Sequence, residues 1–297
     1  MKICIIGISE KKPTDLLLLE GAKKNFNSVL FVPISNIRLE TKDKKIIVKY
    51  RQTDISKFDV VFLRVPKSKY NLAYLILKNL PNPVFKPQDP ESFLICSNRL
   101  LLFQTLAQKG LTVSKICFAD NAKTASSALK ELNFPILVRV PSDKEKVMLA
   151  NTQSEAIAMM DTLQTLNQPI FLEELHKEDL LQVFVVRNDV IATLKRKTSE
   201  AEYEKYEISK PSRAVVRVAL NVCRILKTSF ARIDILGTQE PVIVDVDICP
   251  LLSKIKDKDV GDKVFKKIKA LAEVEKGGII VKFIEDVKMV LRDIIRG

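Results

Sequence analysis

The chain has 297 residues, 46% hydrophobic and 29% charged, which excludes a disordered, collagen-like or low-complexity protein and suffices for one large core or two to three small ones. Lysine and arginine number 49 against 36 acidic residues, a formal net charge of +13. Only 8 glycines occur and none lies between 111 and 236, so that stretch holds no Rossmann-type or Walker-type glycine loop around a phosphate.

Strand-like and helix-like segments alternate along the chain, which predicts an α/β architecture. The apolar run 2–7 ends in Gly7, a helix follows over 14–25, and a strand over 28–34. A β-rich excursion at 46–50 precedes a strand at 59–65 and an amphipathic helix at 71–80. Prolines 81, 83, 87 and 90 then break the chain. Each removes a backbone donor and restricts the residue before it, so a domain boundary is expected there. A helix over 98–110 places Leu100, Phe103 and Leu106 on one face, with Gly110 as its stop. The next unit reads strand 115–119, helix 124–133, strands 135–140 and 146–150, helix 154–166 and strand 169–175. It predicts a small sheet covered by two helices. Strands at 181–186 and 190–197, a polar loop at 198–212, a helix at 213–226 and strands at 230–236 and 241–248 complete the pattern before Lys-rich helices close the chain.

The five cysteines (Cys4, Cys96, Cys117, Cys223, Cys249) are scattered and form no CxxC pair, which fits reduced thiols placed in the core. A single histidine, His176, argues against a Cys/His zinc centre and reads as a surface or hinge residue. The N-terminal apolar run is too short for a signal peptide. No window approaches 18 uninterrupted apolar residues, so the expectation is a cytoplasmic protein without a membrane span. The basic residues are dispersed among acids and only 6% of residues are aromatic. That predicts a solvated, Lys-rich surface rather than a nucleic-acid interface.

The segment 230–250 carries the densest chemistry. Two apolar strands flank a loop expected at Thr238–Pro241, closed by Gly237 and Val242. That register sets Asp234 opposite Asp245, with Cβ atoms about 4.5–5.5 Å apart. Asp247 then lies on the same face about 7 Å further on. Ile233, Ile235, Val244 and Val246 belong to the other, core-facing side. Opposed like charges need neutralising. Either a hard cation such as Mg²⁺ sits on the three aspartates, or they form an acidic patch offset by Arg232, which the same register places opposite Asp247.

In the order and spacing of these elements, residues 88–255 resemble the ATP-grasp fold, specifically the RimK-like carboxylate–amine ligases, and residues 1–87 resemble the domain that precedes it. The resemblance implies three parts: an N-terminal α/β domain over 1–87, a central lid subdomain over 88–172 and a C-terminal subdomain over 173–297. It places Arg99, opening the helix at 98–110, and Arg139, on the strand at 135–140, where the family carries its two nucleotide-binding lysines. Glu173, Glu174 and Leu175 fall on the segment that receives adenine. Lys195 and Arg196 end a strand that faces phosphate or acidic substrate, and Asp234, Asp245 and Asp247 take the metal positions. The implied cofactors are ATP and Mg²⁺. The implied chemistry phosphorylates a carboxylate, of a small molecule or a protein, for attack by an amino-acid amine such as that of glutamate. This chain departs from the pattern at several points: arginine replaces both lysines, Pro141–Lys146 replaces the glycine-rich loop, Leu180-Leu181-Gln182 replaces Asp-x-Arg, the loop after Arg196 lacks the usual Arg and Asn, and Asp247 replaces Asn. A catalytically inactive homologue serving as a binding or assembly subunit, with a protein partner, is therefore the alternative.

Overall fold

A computed structural model describes residues 1–140, 146–175, 179–196, 206–237 and 240–296, with backbone alone for 146 and 279–296. His176, most of the Pro141–Lys146 segment, residues 198–205 of the polar loop and Thr238 lie outside the described residues. The chain begins with β1 (Lys2–Gly7), α1 (Pro13–Asn25) and β2 (Ser28–Pro33), followed by the short antiparallel β3 (Ile37–Lys42), β4 (Lys45–Tyr50) and β5 (Thr53–Asp54). Next come β6 (Val60–Leu63) and α2 (Tyr70–Lys78). β1 pairs in parallel with both β2 and β6, and all four residues of β6 are buried, as expected of a parallel strand covered on both faces.

The proline-broken stretch is built into this first layer. Phe85 bridges Val60, with its carbonyl accepting from the Val61 N–H at 3.0 Å. The fully buried Gln88 spans Leu63 and the Ile248 carbonyl, 160 residues away. Pro90 opens a helix, α3 (Pro90–Ser97), whose N-cap Asp89 accepts from the Glu91 N–H. A first-turn proline is compatible with a helix, because the donor it removes is unpaired there anyway. The sequence pattern hid this element.

Then follow α4 (Arg99–Ala107), β7 (Ile116–Ala119), α5 (Ala122–Ala128), β8 (Ile136–Val140), β9 (Lys146–Ala150), α6 (Gln153–Thr165) and β10 (Ile170–Glu174). α4 buries Leu102, Phe103 and Leu106, with Leu100 only half-buried, so the inward face is turned from the one expected. Gly110, at φ +77°, closes it as anticipated: the Leu111 N–H reaches the Leu106 carbonyl and the Gly110 N–H that of Ala107. The strands form an antiparallel sheet in the order β7-β10-β8-β9, with one face buried under α5 and α6, as the sequence predicts.

The remaining elements are β11 (Leu180–Val186), β12 (Asp189–Arg196), β13 (Tyr206–Ile208), α7 (Arg213–Ile225), β14 (Phe230–Leu236), β15 (Val242–Asp247) and α8 (Val260–Arg296). The strands make an antiparallel sheet in the order β13-β12-β11-β14-β15. α7 covers one face through Val215, Ala219, Val222 and Cys223, packed with Val183, Val185, Ala231 and Ile233. A single long α8 replaces the several Lys-rich helices expected, and it lies against α1. At that crossing a Cβ on Gly21 would overlap the backbone of Gly261, and a Cβ on Gly261 that of Leu17. Two of the chain's 8 glycines thus serve one backbone-on-backbone contact. Cys4, Cys96, Cys223 and Cys249 are buried and all five cysteines are free. Burial pushes the Cys4, Cys223 and Cys249 thiols up to about 12, leaving them as unreactive core residues.

Candidate functional site

The hairpin β14–β15 carries the carboxylates. Leu236 pairs with Val242 and Ile235 with Ile243, so the loop is one residue longer than expected. Such a shift would turn the acidic residues of the two strands to opposite faces. A bulge at Val244 restores the alternation: below it Asp234 pairs with Asp245, Ile233 with Val246, and Arg232 with Asp247. The expected opposition therefore holds, at the cost of Val244. Ile243 takes its place in the core, while the half-buried Val244 turns its carbonyl to a guanidinium nitrogen of Arg99.

Arg232 sits among all three aspartates. Its Nε donates to Asp234 Oδ1 at 2.8 Å, its Nη2 lies 3.7 Å from Asp245 Oδ2, and its Nη1 lies 3.6 Å from Asp247 Oδ2. The other carboxylate oxygens are engaged as well. Asp234 Oδ2 accepts from Gln182 Nε2 at 3.4 Å, and Asp245 Oδ1 from Arg99 Nη1 at 3.2 Å. Asp247 Oδ1 accepts from the Cys249 N–H at 2.8 Å and the Tyr70 hydroxyl at 3.3 Å. Burial raises the Asp234 carboxyl to about 6: desolvation and the neighbouring Asp245 charge outweigh Arg232 and the Gln182 hydrogen bond, because one guanidinium is shared among three acids. For Arg232, burial favours the neutral form, but the three carboxylates override it and hold the cation.

A second cluster lies on the sheet of β10. Glu173 and Arg139 project from the face not covered by α5 and α6, and Arg139 Nε donates to Glu173 Oε2 at 2.6 Å. Arg99, the first residue of α4 after its N-cap Asn98, grips the same carboxylate: Nε to Oε2 at 3.1 Å and Nη2 to Oε1 at 2.5 Å. Phe103, one turn on, supports the guanidinium with its ring, 4.6 Å to the centroid. The Glu173 side chain is only 3% exposed, so this is a buried Arg–Glu–Arg triad. Through Asp245, Arg99 links it to the hairpin.

The structure thus brings Arg99, Arg139, Glu173, Asp234, Asp245 and Asp247 into one charged network. It places the other named residues elsewhere. Glu174, the next residue along β10, points away from Glu173 and caps the turn after α5, accepting from the Asn133 N–H at 2.9 Å. The Leu175 N–H is committed to the Pro135 carbonyl at 3.1 Å, and that of Glu174 to Lys115. Lys195 and Arg196 are neighbours on β12 and take opposite faces. Arg196, opposite Leu180, shares the face of Asp234, whereas Lys195 bonds Asp179 at 2.6 Å on the face that α7 covers. Sequence reasoning missed Tyr70, which nothing local marks. Gln182 was legible as the lone polar residue of its strand, opposite Asp234.

Mg²⁺ needs carboxylate oxygens at about 2.0–2.1 Å, free of competing cations. Here all six oxygens of the three aspartates face internal partners, and among the described residues no group of three or more acidic, Cys or His side chains is arranged to hold a metal ion. The donor set as it stands does not fit Mg²⁺. Among the described residues, no helix is long and apolar enough to cross a membrane.

Comparison with known proteins accounts for this architecture. The chain is 23% identical over 295 residues to a Methanococcoides burtonii protein named probable alpha-L-glutamate ligase, covering 93% of this chain and 98% of the relative. It is 23% identical over 287 residues to one of the same name from Nitrosococcus oceani, covering 90% and 95%. Among solved structures, the ATP-grasp ligase PsnB complexed with precursor peptide PsnA2 and AMPPNP matches with a TM-score of 0.71 at 13% identity, over 91% of this chain and 97% of that one. The D-alanine–D-alanine ligase of Bacillus anthracis complexed with ATP matches with a TM-score of 0.63 at 14% identity, over 93% and 99%. These structural likenesses establish the fold. Residues 96–271, more than half of the chain, match the RimK-like ATP-grasp domain, and the chain belongs to that family.

Proposed function

We propose that this chain uses the ATP-grasp scaffold for binding rather than for ligation, as a non-catalytic member of a ligase family that serves as a binding or assembly subunit. One observation carries the reading. Arg99 and Arg139, which the family resemblance sets where nucleotide-binding lysines would stand, are both paired with the buried Glu173. A triphosphate would have to displace a carboxylate whose side chain is only 3% exposed, and stripping one partner from a buried ion cluster typically costs about 3–5 kcal/mol. The self-neutralised aspartate hairpin supports the same conclusion.

A thermal-unfolding series with Mg·ATP tests it. A ligand held only by the native state at about 100 times its Kd adds about 2.7 kcal/mol of stability. The expected result is an unchanged midpoint at millimolar Mg·ATP. A clear upward shift overturns the reading.

A second reading, an ATP-dependent carboxylate–amine ligase, is favoured by a separate observation. The sheet face carrying Arg139 also presents Phe118, Val147 and Leu149, each about 45% exposed and lying in register with Phe171, Arg139 and Leu137. That is an apolar surface beside two cations, suited to a planar ring bearing an anionic chain. The glutamate-ligase names of the relatives and the peptide-bound state of PsnB agree with a carboxylate and an amine as substrates. Such a site would supply Arg99 and Arg139 to phosphate and Asp234, Asp245 and Asp247 to Mg²⁺ once their internal pairs open. ADP release from a panel of carboxylates with amino-acid amines, glutamate included, decides for this reading and against the first.

A further inference from the structure

From 208 to 233 the sequence contains no acidic residue, while Lys210, Arg213, Arg217, Arg224, Lys227 and Arg232 fall within it. α7 occupies the middle of this stretch. At 3.6 residues per turn, Arg213, Arg217 and Arg224 lie within an arc of about 40°, centred almost opposite the buried Val215, Ala219 and Val222. All three arginines are exposed. Several surface cations elsewhere are paired, as in Lys24–Asp259, Lys78–Glu91 and Lys263–Asp257. None of the three α7 arginines faces a carboxylate among the described residues. Among the described residues, Arg224 reaches the neutral Asn221, at 3.4 Å. Like charges one turn apart weaken a helix by a few tenths of a kcal/mol, so Arg213 and Arg217 act against local stability.

Beside the stripe runs an open groove of about 550 Å³, floored by Pro211, Val216 and Leu220. The last two are half-buried and leave aliphatic surface in contact with solvent. The chain has 36 lysines and 13 arginines, yet every cation on α7 is an arginine, the side chain whose planar fork pairs two-pronged with carboxylates. The arginines stand about 6 Å and about 10.5 Å apart along the axis at 1.5 Å per residue. Among the described residues no aromatic side chain lines the groove, so none of them offers a base a stacking platform.

We propose that the outer face of α7 docks an acidic segment of a partner protein, its carboxylates on Arg213, Arg217 and Arg224 and its aliphatic side chains against Val216 and Leu220. The face lies on the back of the sheet: α7 packs on Val183 and Ile233, whereas Asp234 and Arg232 project from the opposite side. The inference therefore stands whether or not the charged network accepts nucleotide.

Fluorescence anisotropy with the full chain and a labelled peptide of about 15 residues, alternating Glu and Leu at helical spacing, tests it. Binding in the micromolar range is expected, weakening about tenfold or more on raising salt from about 0.05 to about 0.5 M. The triple variant Arg213→Gln/Arg217→Gln/Arg224→Gln is expected to lose at least about tenfold in affinity, with an unfolding midpoint unchanged or slightly raised, because all three side chains are exposed and the like charges are removed. Leu220→Ser, or an all-Glu peptide, should lose about threefold to tenfold, which reads the aliphatic contribution. No binding at about 100 μM peptide, or equal binding by the triple-Gln variant, overturns the proposal. Tighter binding of an equally long oligouridylate than of the peptide also overturns it, assigning the face to nucleic acid instead. If the triple variant melts early, Arg224→Gln alone, with a smaller expected loss of about threefold, carries the same test.

Discussion

Around Glu173 two guanidiniums share one carboxylate, whereas around Arg232 three carboxylates share one guanidinium. Each cluster alone is strongly unbalanced, the first cationic and the second anionic. Arg99 joins them, because the same side chain that grips Glu173 also reaches Asp245 and the Val244 carbonyl. The joined network holds four carboxylates and three guanidiniums, near to neutrality without any external ion. It spans α4, the sheet of β10 and the hairpin β14–β15. The difference between the halves identifies what each lacks by itself, and the union explains how a buried acidic hairpin persists with no free cation.

The largest effect should come from the cationic half. Glu173→Ala leaves Arg99 and Arg139 close together without their shared counter-charge, and a loss of about 3–5 kcal/mol in urea unfolding is expected. Replacing the whole triad with apolar residues, Arg99→Met/Arg139→Met/Glu173→Leu, should recover much of that loss, since no charge then remains to be desolvated. If Glu173→Ala unfolds at the same urea concentration as the parent, the triad is not a structural element, and the two arginines are available to a ligand after all.

The anionic half gives the next test and a different rescue. Arg232→Met removes the one guanidinium shared by Asp234, Asp245 and Asp247, with an expected loss of about 3–5 kcal/mol near neutral pH. Three carboxylates freed of their arginine form an oxygen donor set of the kind that hard cations take. Millimolar Mg²⁺ should therefore raise the unfolding midpoint of Arg232→Met and leave the parent unmoved. A parent chain that responds to Mg²⁺ as strongly as the variant would erase the distinction between a self-neutralised hairpin and a metal-neutralised one.

The hairpin was the most legible part of the network, and its limits are instructive. Alternation of apolar and acidic residues in 230–247 marks both strands and both faces, because side chains alternate along a strand whatever surrounds it. The bulge at Val244 leaves no mark in that pattern, since an inserted residue changes the backbone path and not the composition. The family resemblance puts Lys195 and Arg196 together at a phosphate-facing strand end, although the same alternation requires neighbours to part, and the structure parts them. The partners of Glu173 and Asp247 are further off: Arg99 comes 74 residues before Glu173 and Tyr70 lies 177 residues before Asp247, distances at which only the fold can state a contact. Helix α3 was hidden for another reason, as proline breaks a helix in its interior yet is welcome in the first turn. Order and spacing of elements carried the fold, while the charge pairing on which the proposed function rests depended on three-dimensional register.

The smallest effect is also the most specific to the anionic half. Asp234 titrates at about 6 instead of the ordinary 3.8, so between these values the native state holds a proton that the unfolded chain has lost. Stability then falls as pH rises through that window, at up to about 1.4 kcal/mol per unit, and levels off above it. Asp234→Asn removes the titration while keeping the shape and a hydrogen-bonding oxygen for Arg232, which retains Asp245 and Asp247 as counter-charges. Subtracting the parent's urea-unfolding free energy from that of the variant should give a curve that climbs from pH 4 to about pH 6.5 and flattens beyond, with a rise on the order of 2–3 kcal/mol. A flat or falling curve would mean that Arg232 fully compensates Asp234, and the excess negative charge would then rest on Asp245 and Asp247 alone.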